Sequence, residues 1–257
     1  MVSIHSVNNI SIHISMNKYI IQFITIAFIL LAIFKNSFSG KRFTCKNFLL
    51  NAYLYIFLSL VTIFLLTNVY ADNRVRYLKG VKFSFLHFMI FLFLSLLLLY
   101  GVLTWSPKDL IGKHAIWFVW LAMMAYILYP MLLQNALLFQ RVKLMTITVM
   151  TILTLVTFWK PHLVSLSWGS TLLILLVGLI LIRLFGILLP QIYTSQVDYI
   201  VSYVSLVLFS FFMLWDTKFL MVKAKQCVNA DYINDSLGVV LDGLNIFTNL
   251  FSIHSSR

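Results

Sequence analysis

Six polar or small residues near the C-terminal end, Asp231, Asp235, Gly238, Asp242, Asn245 and Asn249, recur at intervals of four, three, four, three and four. That spacing lines one face of an α-helix. The other faces would carry Val239, Val240, Leu244, Ile246 and Phe247, and the apolar run 233–251 is about long enough to enter a bilayer. Asp242 falls near its middle. An ionised carboxylate at that depth costs roughly 2.5 to 3.5 kcal/mol on insertion scales, so it requires a partner, and such residues mark ion or proton pathways. For Asn245 and Asn249 a plainer reading holds, hydrogen bonding to neighbouring helices as buried amides do.

The partner the chain offers is Asp216, in "FMLWDTKF" near the end of the preceding apolar run, 199–221. The short connection makes the two helices antiparallel neighbours. Two carboxylates sharing a dry site cannot both ionise cheaply, so near neutrality the pair is expected to hold one proton or one cation. Losing that proton would drive the helices apart or admit a metal ion. Calcium suits oxygen donors but takes roughly six to eight of them, so waters and backbone carbonyls would complete its shell. The competing reading makes Asp216 a solvated helix-end residue beside Lys218. Asp235, Asn245, Asn249 and Arg183 are the supporting candidates. Arg183, inside the run 168–189, is either a counter-ion for the pair or, preferred, a long side chain snorkelling to the headgroups. His87 reads as an interfacial histidine, and Asn9 and Asn234 each open a glycosylation sequon.

These side chains need a membrane to position them. With 61% hydrophobic residues, 10% charged residues and a mean hydropathy of +0.97, the composition excludes a soluble domain of 257 residues. Seven runs are predicted to be transmembrane helices, at roughly 48–70, 83–104, 115–139, 143–159, 168–189, 199–221 and 233–251. Breaks such as "WSPKDLIGK", "FQRVK" and "KPHLVS" separate them. The expected fold is an all-α membrane bundle, with Pro130 kinking the third span. Trp105, Trp117, Trp159 and Trp168 lie near run ends, as an interfacial belt requires. The net charge of +12 reflects 19 Lys and Arg against seven Asp. These basic residues fall mostly between apolar runs, as bilayer anchors, and no dense basic patch points to nucleic acid. They nearly balance across the two faces, so they do not set the orientation. Cys45 and Cys227 fall on one face by span parity, with free thiols the default for so few cysteines. The run 19–34 is read as an additional retained helix, with a cleaved signal sequence or an interfacial segment as alternatives.

Phe209, Ser210, Asp216 and Thr217, followed by Asp231, Tyr232 and Ile233 and then Leu241, Asp242, Asn245 and Phe247, resemble the end signature of the transmembrane Bax-inhibitor-motif family. The resemblance covers residues 48–252, leaving 1–47 as an N-terminal extension and 253–257 as a tail. It implies a seven-helix bundle with the last helix central, in endoplasmic reticulum, Golgi or plasma membrane. It further implies suppression of apoptosis and a pH-dependent calcium leak through an aspartate pair, carried over to Asp216 and Asp242. Its partners would be lipid, protons, calcium as the transported ion and membrane-bound apoptosis regulators, with no resident cofactor and no enzymatic activity. The run 83–104 departs from the bacterial members, which bring an arginine to the pair from this helix. Two rivals stand beside this reading. An intramembrane aspartyl protease would share "LWD" but needs Gly-x-Gly before the second Asp, where Val239, Val240 and Leu241 stand. A non-conducting interaction protein would use the aspartates only to hold helices together.

Overall fold

Lipid offers no hydrogen bonds, so a spanning segment must satisfy its backbone internally and becomes a helix. The structure, a computed structural model, describes residues 4–40, 42–77, 85–189, 191 and 193–255. They form α1 (Ile4–Asn36), α2 (Phe48–Tyr77), α3 (Phe85–Thr104), α4 (Leu110–Gln134), α5 (Ala136–Trp159), α6 (Trp168–Leu188), α7 (Ser195–Lys225) and α8 (Tyr232–Ser255). A hairpin of β1 (Phe38–Ser39) and β2 (Arg42–Phe43) is the one sheet among the described residues. Six helices, α2 and α4 to α8, are long and apolar enough to cross a membrane. The described apolar part of α3, Met89–Thr104, is shorter, as is Ile20–Asn36 in α1. The chain is thus an all-α polytopic membrane protein.

The boundaries differ from the hydropathy reading in one informative place. The break between the third and fourth spans falls at Asn135, not at "FQRVK", so Arg141 and Lys143 lie inside α5. The Asn135 side chain accepts from the Leu138 amide at 3.0 Å, a cap that satisfies one of the orphan donors of the new helix. Hydropathy averages over such a single-residue stop. Pro130 does lie within α4, five residues before that cap. At α7 the Thr194 side chain caps the Val197 amide, Asp198 sits in the first turn, and Lys223 and Lys225 sit in the last, complementing the helix dipole at both ends. The expected extra run is helical, as the second half of α1, and the "SFSG" that follows it forms the hairpin, turning at Gly40 with φ +63°.

The chain divides into two compact units. The first comprises residues 1–132 and 229–233. In it α1 packs along α2, and Tyr126 of α4 meets Tyr70 of α2 and Phe91 of α3 at ring separations of 5.6 and 4.3 Å. The hairpin covers a polar and aromatic nest. Phe43 stacks on Phe38 and stands edge-on to Tyr55 and Tyr232, at 6.0 and 5.2 Å. Asn51 donates to the carbonyls of Asn36 and Lys46 and to the Tyr232 hydroxyl.

The second unit comprises residues 133–228 and 234–257. Here α7 packs against both α5 and α6. Leu172 and Leu179 of α6 meet Leu208 of α7, and the Trp215 indole donates to the Leu166 carbonyl at 3.0 Å. Phe139 of α5 stands edge-on to Phe247 of α8 at 4.9 Å. The last helix is the most enclosed of the candidate spans: 72% of its apolar stretch is buried, against 11% for α6. The outward side chains of α6, Leu173, Ile174 and Leu181 among them, are exposed and apolar, the surface a lipid environment requires.

Candidate functional site

In the second unit Asp216 of α7 and Asp242 of α8 lie with their carboxyl groups within hydrogen-bonding reach of each other. Local sequence prepares each position. Asp216 stands beside the buried Met213 and Thr217 on the inner face of α7, and Asp242 is flanked along α8 by the fully enclosed Val239, Val240 and Ile246. Asp242 is only 4% exposed, and among the described residues no N–H or hydroxyl donates to its Oδ2. Asp216 is half-buried, in the body of α7. Two unit negative charges about 4 Å apart repel by about 4 kcal/mol at an effective dielectric of about 20. A shared proton or a bound cation removes that repulsion, and Oδ2, which receives no other donor among the described residues, can take part in either. Among the described residues no group of three or more His, Cys, Asp or Glu could hold a metal ion. A cation at the pair would therefore take these two carboxylates and complete its shell with carbonyls and water.

The rest of the polar stripe separates into distinct roles. Asp235 forms an ion pair with Lys223 across the α7 and α8 ends of the second unit. Asn245 donates to the Leu241 carbonyl of its own helix at 2.9 Å, so it bridges no neighbour through that bond. Asn249 does bridge. Its amide donates to the Asn245 carbonyl, while its Oδ1 accepts from Arg183 Nη2 at 2.6 Å.

That contact corrects the reading of Arg183 as a snorkelling side chain. The guanidinium turns inward, giving Nη2 also to Ser205 at 3.3 Å. The reason is steric and chemical: Ser205 and Asn249 are buried acceptors that need a donor, and Arg183 is the cation in reach. It is not placed as the pair's counter-ion either, since Asn249 lies seven residues beyond Asp242, about 10 Å along the helix. A second polar layer results there. Asp198 accepts from the Tyr193 hydroxyl and from Ser252, and Ser202 donates to Ser252. Tyr193 lies in the α6–α7 connection, and partial burial together with the Asp198 charge raises its hydroxyl above the ordinary tyrosine range.

Several side chains escaped the hydropathy reading. Lys113, counted as a bilayer anchor, is fully buried in the first unit. Its Nζ donates to the carbonyls of Val102 and Trp105 at 2.8 and 2.9 Å and pairs with Asp231 at 3.0 Å. It thus caps the C-terminal end of α3. The available signal was its place one turn into a helix that follows "WSPKDL", within reach of the helix just ended. Beside it the Tyr55 hydroxyl meets His114 Nε2 at 2.8 Å. Trp117 is also buried, packed 5.7 Å from Tyr55, and so does not belong to an interfacial belt, whereas Trp159 is 82% exposed at the end of α5. Neither cysteine is a free thiol: Cys45 and Cys227 are both disulfide-bonded. So small a cysteine count carries no local signal of pairing. The side chains of His87 and Asn9 lie outside the described residues, and Asn234 sits in the first turn of α8.

A bundle of apolar helices, the most enclosed of which carries a buried acid, defines an integral membrane protein. Residues 45–257 match the family described as inhibitor of apoptosis-promoting Bax1, and the chain belongs to that family. It is accordingly a membrane protein of an anti-apoptotic family. No curated protein matches it at the level of sequence.

Proposed function

We propose that the chain is a pH-sensitive cation leak of an intracellular membrane, endoplasmic reticulum or Golgi, which passes calcium and suppresses apoptosis by modulating calcium stores. The observation that carries this reading is the contact of Asp216 with Asp242, the latter enclosed and with no N–H or hydroxyl donor to its Oδ2 among the described residues. While the pair holds one proton, a neutral acid and a carboxylate bridge α7 to α8 and the path is closed. As pH rises and the proton leaves, two like charges either separate the helices or draw in a cation, and the leak opens. Asp235, paired with Lys223, fixes the start of α8, and Asn249 with Arg183 fixes the layer beyond the pair.

Purified protein in liposomes loaded with a calcium-sensitive dye tests this directly. Flux should rise between about pH 6 and 8 and lose its pH response in Asp216→Asn and in Asp242→Asn. Absence of flux, or flux indifferent to both substitutions, refutes the leak and favours a non-conducting interaction protein.

A further inference from the structure

We infer that Gly238 is a positioning residue for the acid pair: its missing side chain leaves a notch on α8, one turn before Asp242, in which the Asp216 carboxyl lies. A Cβ built at Gly238 would stand 2.5 Å from Asp216 Oδ2, 2.7 Å from Cγ and 2.9 Å from Oδ1. All three distances are shorter than a real Cβ contact. The whole carboxyl is therefore laid against the α8 backbone, with more than its tip in contact. Residues four apart share a helix face, so a group resting at 238 is delivered to the side of 242.

The helix itself has no use for glycine at this position. Gly238 has no left-handed φ, and alanine is the better helix former there. What the glycine supplies is close approach. Asp216 has only a short side chain, and α7 around it is anchored by the buried Met213, Thr217 and Leu220, so the helix cannot readily slide. A methyl group at 238 must swing the carboxyl out of the notch and away from Asp242. Gly243 on the same helix provides the contrast. A Cβ there would meet Met150 Cε and Sδ at 2.7 Å, the far end of a flexible thioether that can turn aside.

The consequence for gating rests on the proposed leak, but the geometry does not, and the test separates them. In purified protein, thermal unfolding midpoints are measured for Gly238→Ala in the Asp216 background and again with Asp216→Ala. The midpoint should fall in the first and rise in the second, because removing the carboxyl removes the clash and leaves only the gain in helix propensity. Gly243→Ala should show no such dependence on residue 216. Infrared difference spectra of the carboxyl C=O stretch supply a second readout. Wild type and Gly243→Ala should show an Asp242 band that shifts with Asp216→Asn, and Gly238→Ala should show one that does not. If Gly238→Ala fails to fold, restoration by Asp216→Ala still decides the matter. An equal loss in both backgrounds, or an Asp242 band that keeps its response to Asp216→Asn in Gly238→Ala, overturns the assignment. In the liposome assay Gly238→Ala should lose the pH response; if wild type itself passes no calcium, the leak is refuted while the unfolding and infrared results still judge Gly238.

Discussion

Replacing Lys113 by methionine removes a charge from the first unit while keeping an unbranched apolar stem of similar length. The side chain is fully buried, and its acceptors include the carbonyls of Val102 and Trp105 and the carboxylate of Asp231. Breaking a buried ion pair from one side costs roughly 3 to 5 kcal/mol, because the remaining charge loses its counter-charge. Asp231 keeps 14% of its side-chain exposure, which eases that cost. The two carbonyls act the other way, each losing a bond worth roughly 1.5 to 3 kcal/mol when its donor is charged. These parts overlap and do not sum, so the expected loss is about 3 to 5 kcal/mol, roughly 10 °C in the unfolding midpoint of a chain this size. The assay is thermal unfolding in detergent, run as a double-mutant cycle with Asp231→Asn. The Lys113→Met and Asp231→Asn double variant should be more stable than the sum of the single losses implies, since neither charge is then stranded. A Lys113→Met protein as stable as wild type, or strictly additive losses, would refute the claim that this pair clamps the end of α3 to the start of α8 within the unit.

Two further outcomes follow from particular contacts. Tyr193 donates its hydroxyl to Asp198, and its ionisation is displaced upward. A group whose folded pKa is raised contributes stability that is present below the unfolded value, about 10, and is lost as pH climbs through the folded one. Tyr193→Phe should therefore be less stable than wild type at neutral pH, with the difference vanishing under alkaline conditions, as followed by unfolding midpoints across pH. Cys45 and Cys227 should resist maleimide labelling in the unfolded protein until a reductant is added, as read by intact mass; labelling without reductant would show free thiols.

The residues differ sharply in how far sequence alone reveals them. The spans were legible because hydropathy is a local sum: a run of apolar residues must be helical in lipid whatever surrounds it. The acid stripe of the last helix was legible for a similar reason, since a period of 3.6 places Asp235, Gly238, Asp242, Asn245 and Asn249 on one side before any neighbour is known. The stop at Asn135 was not, because one capping amide between two apolar runs barely changes an average. Arg183 and Lys113 were misread for a common cause. A long cation can reach headgroups, a carbonyl or an amide from the same backbone position, and only the nearest acceptor decides among them.

The sequence determined that this is a helical membrane protein of an apoptosis-inhibiting family and that its last helix carries acid where acid is costly. Tertiary structure decided which partners those side chains take: Asp216 for Asp242, Lys223 for Asp235, Lys113 for Asp231, and Asn249 for Arg183. It also decided that a glycine one turn from Asp242 holds open the space for the second carboxyl. The physical reason is that a helix's own geometry fixes which residues share a face, whereas contact across helices depends on their relative height and rotation. Those are set by the packing of many apolar side chains at once, and no single stretch of sequence encodes them.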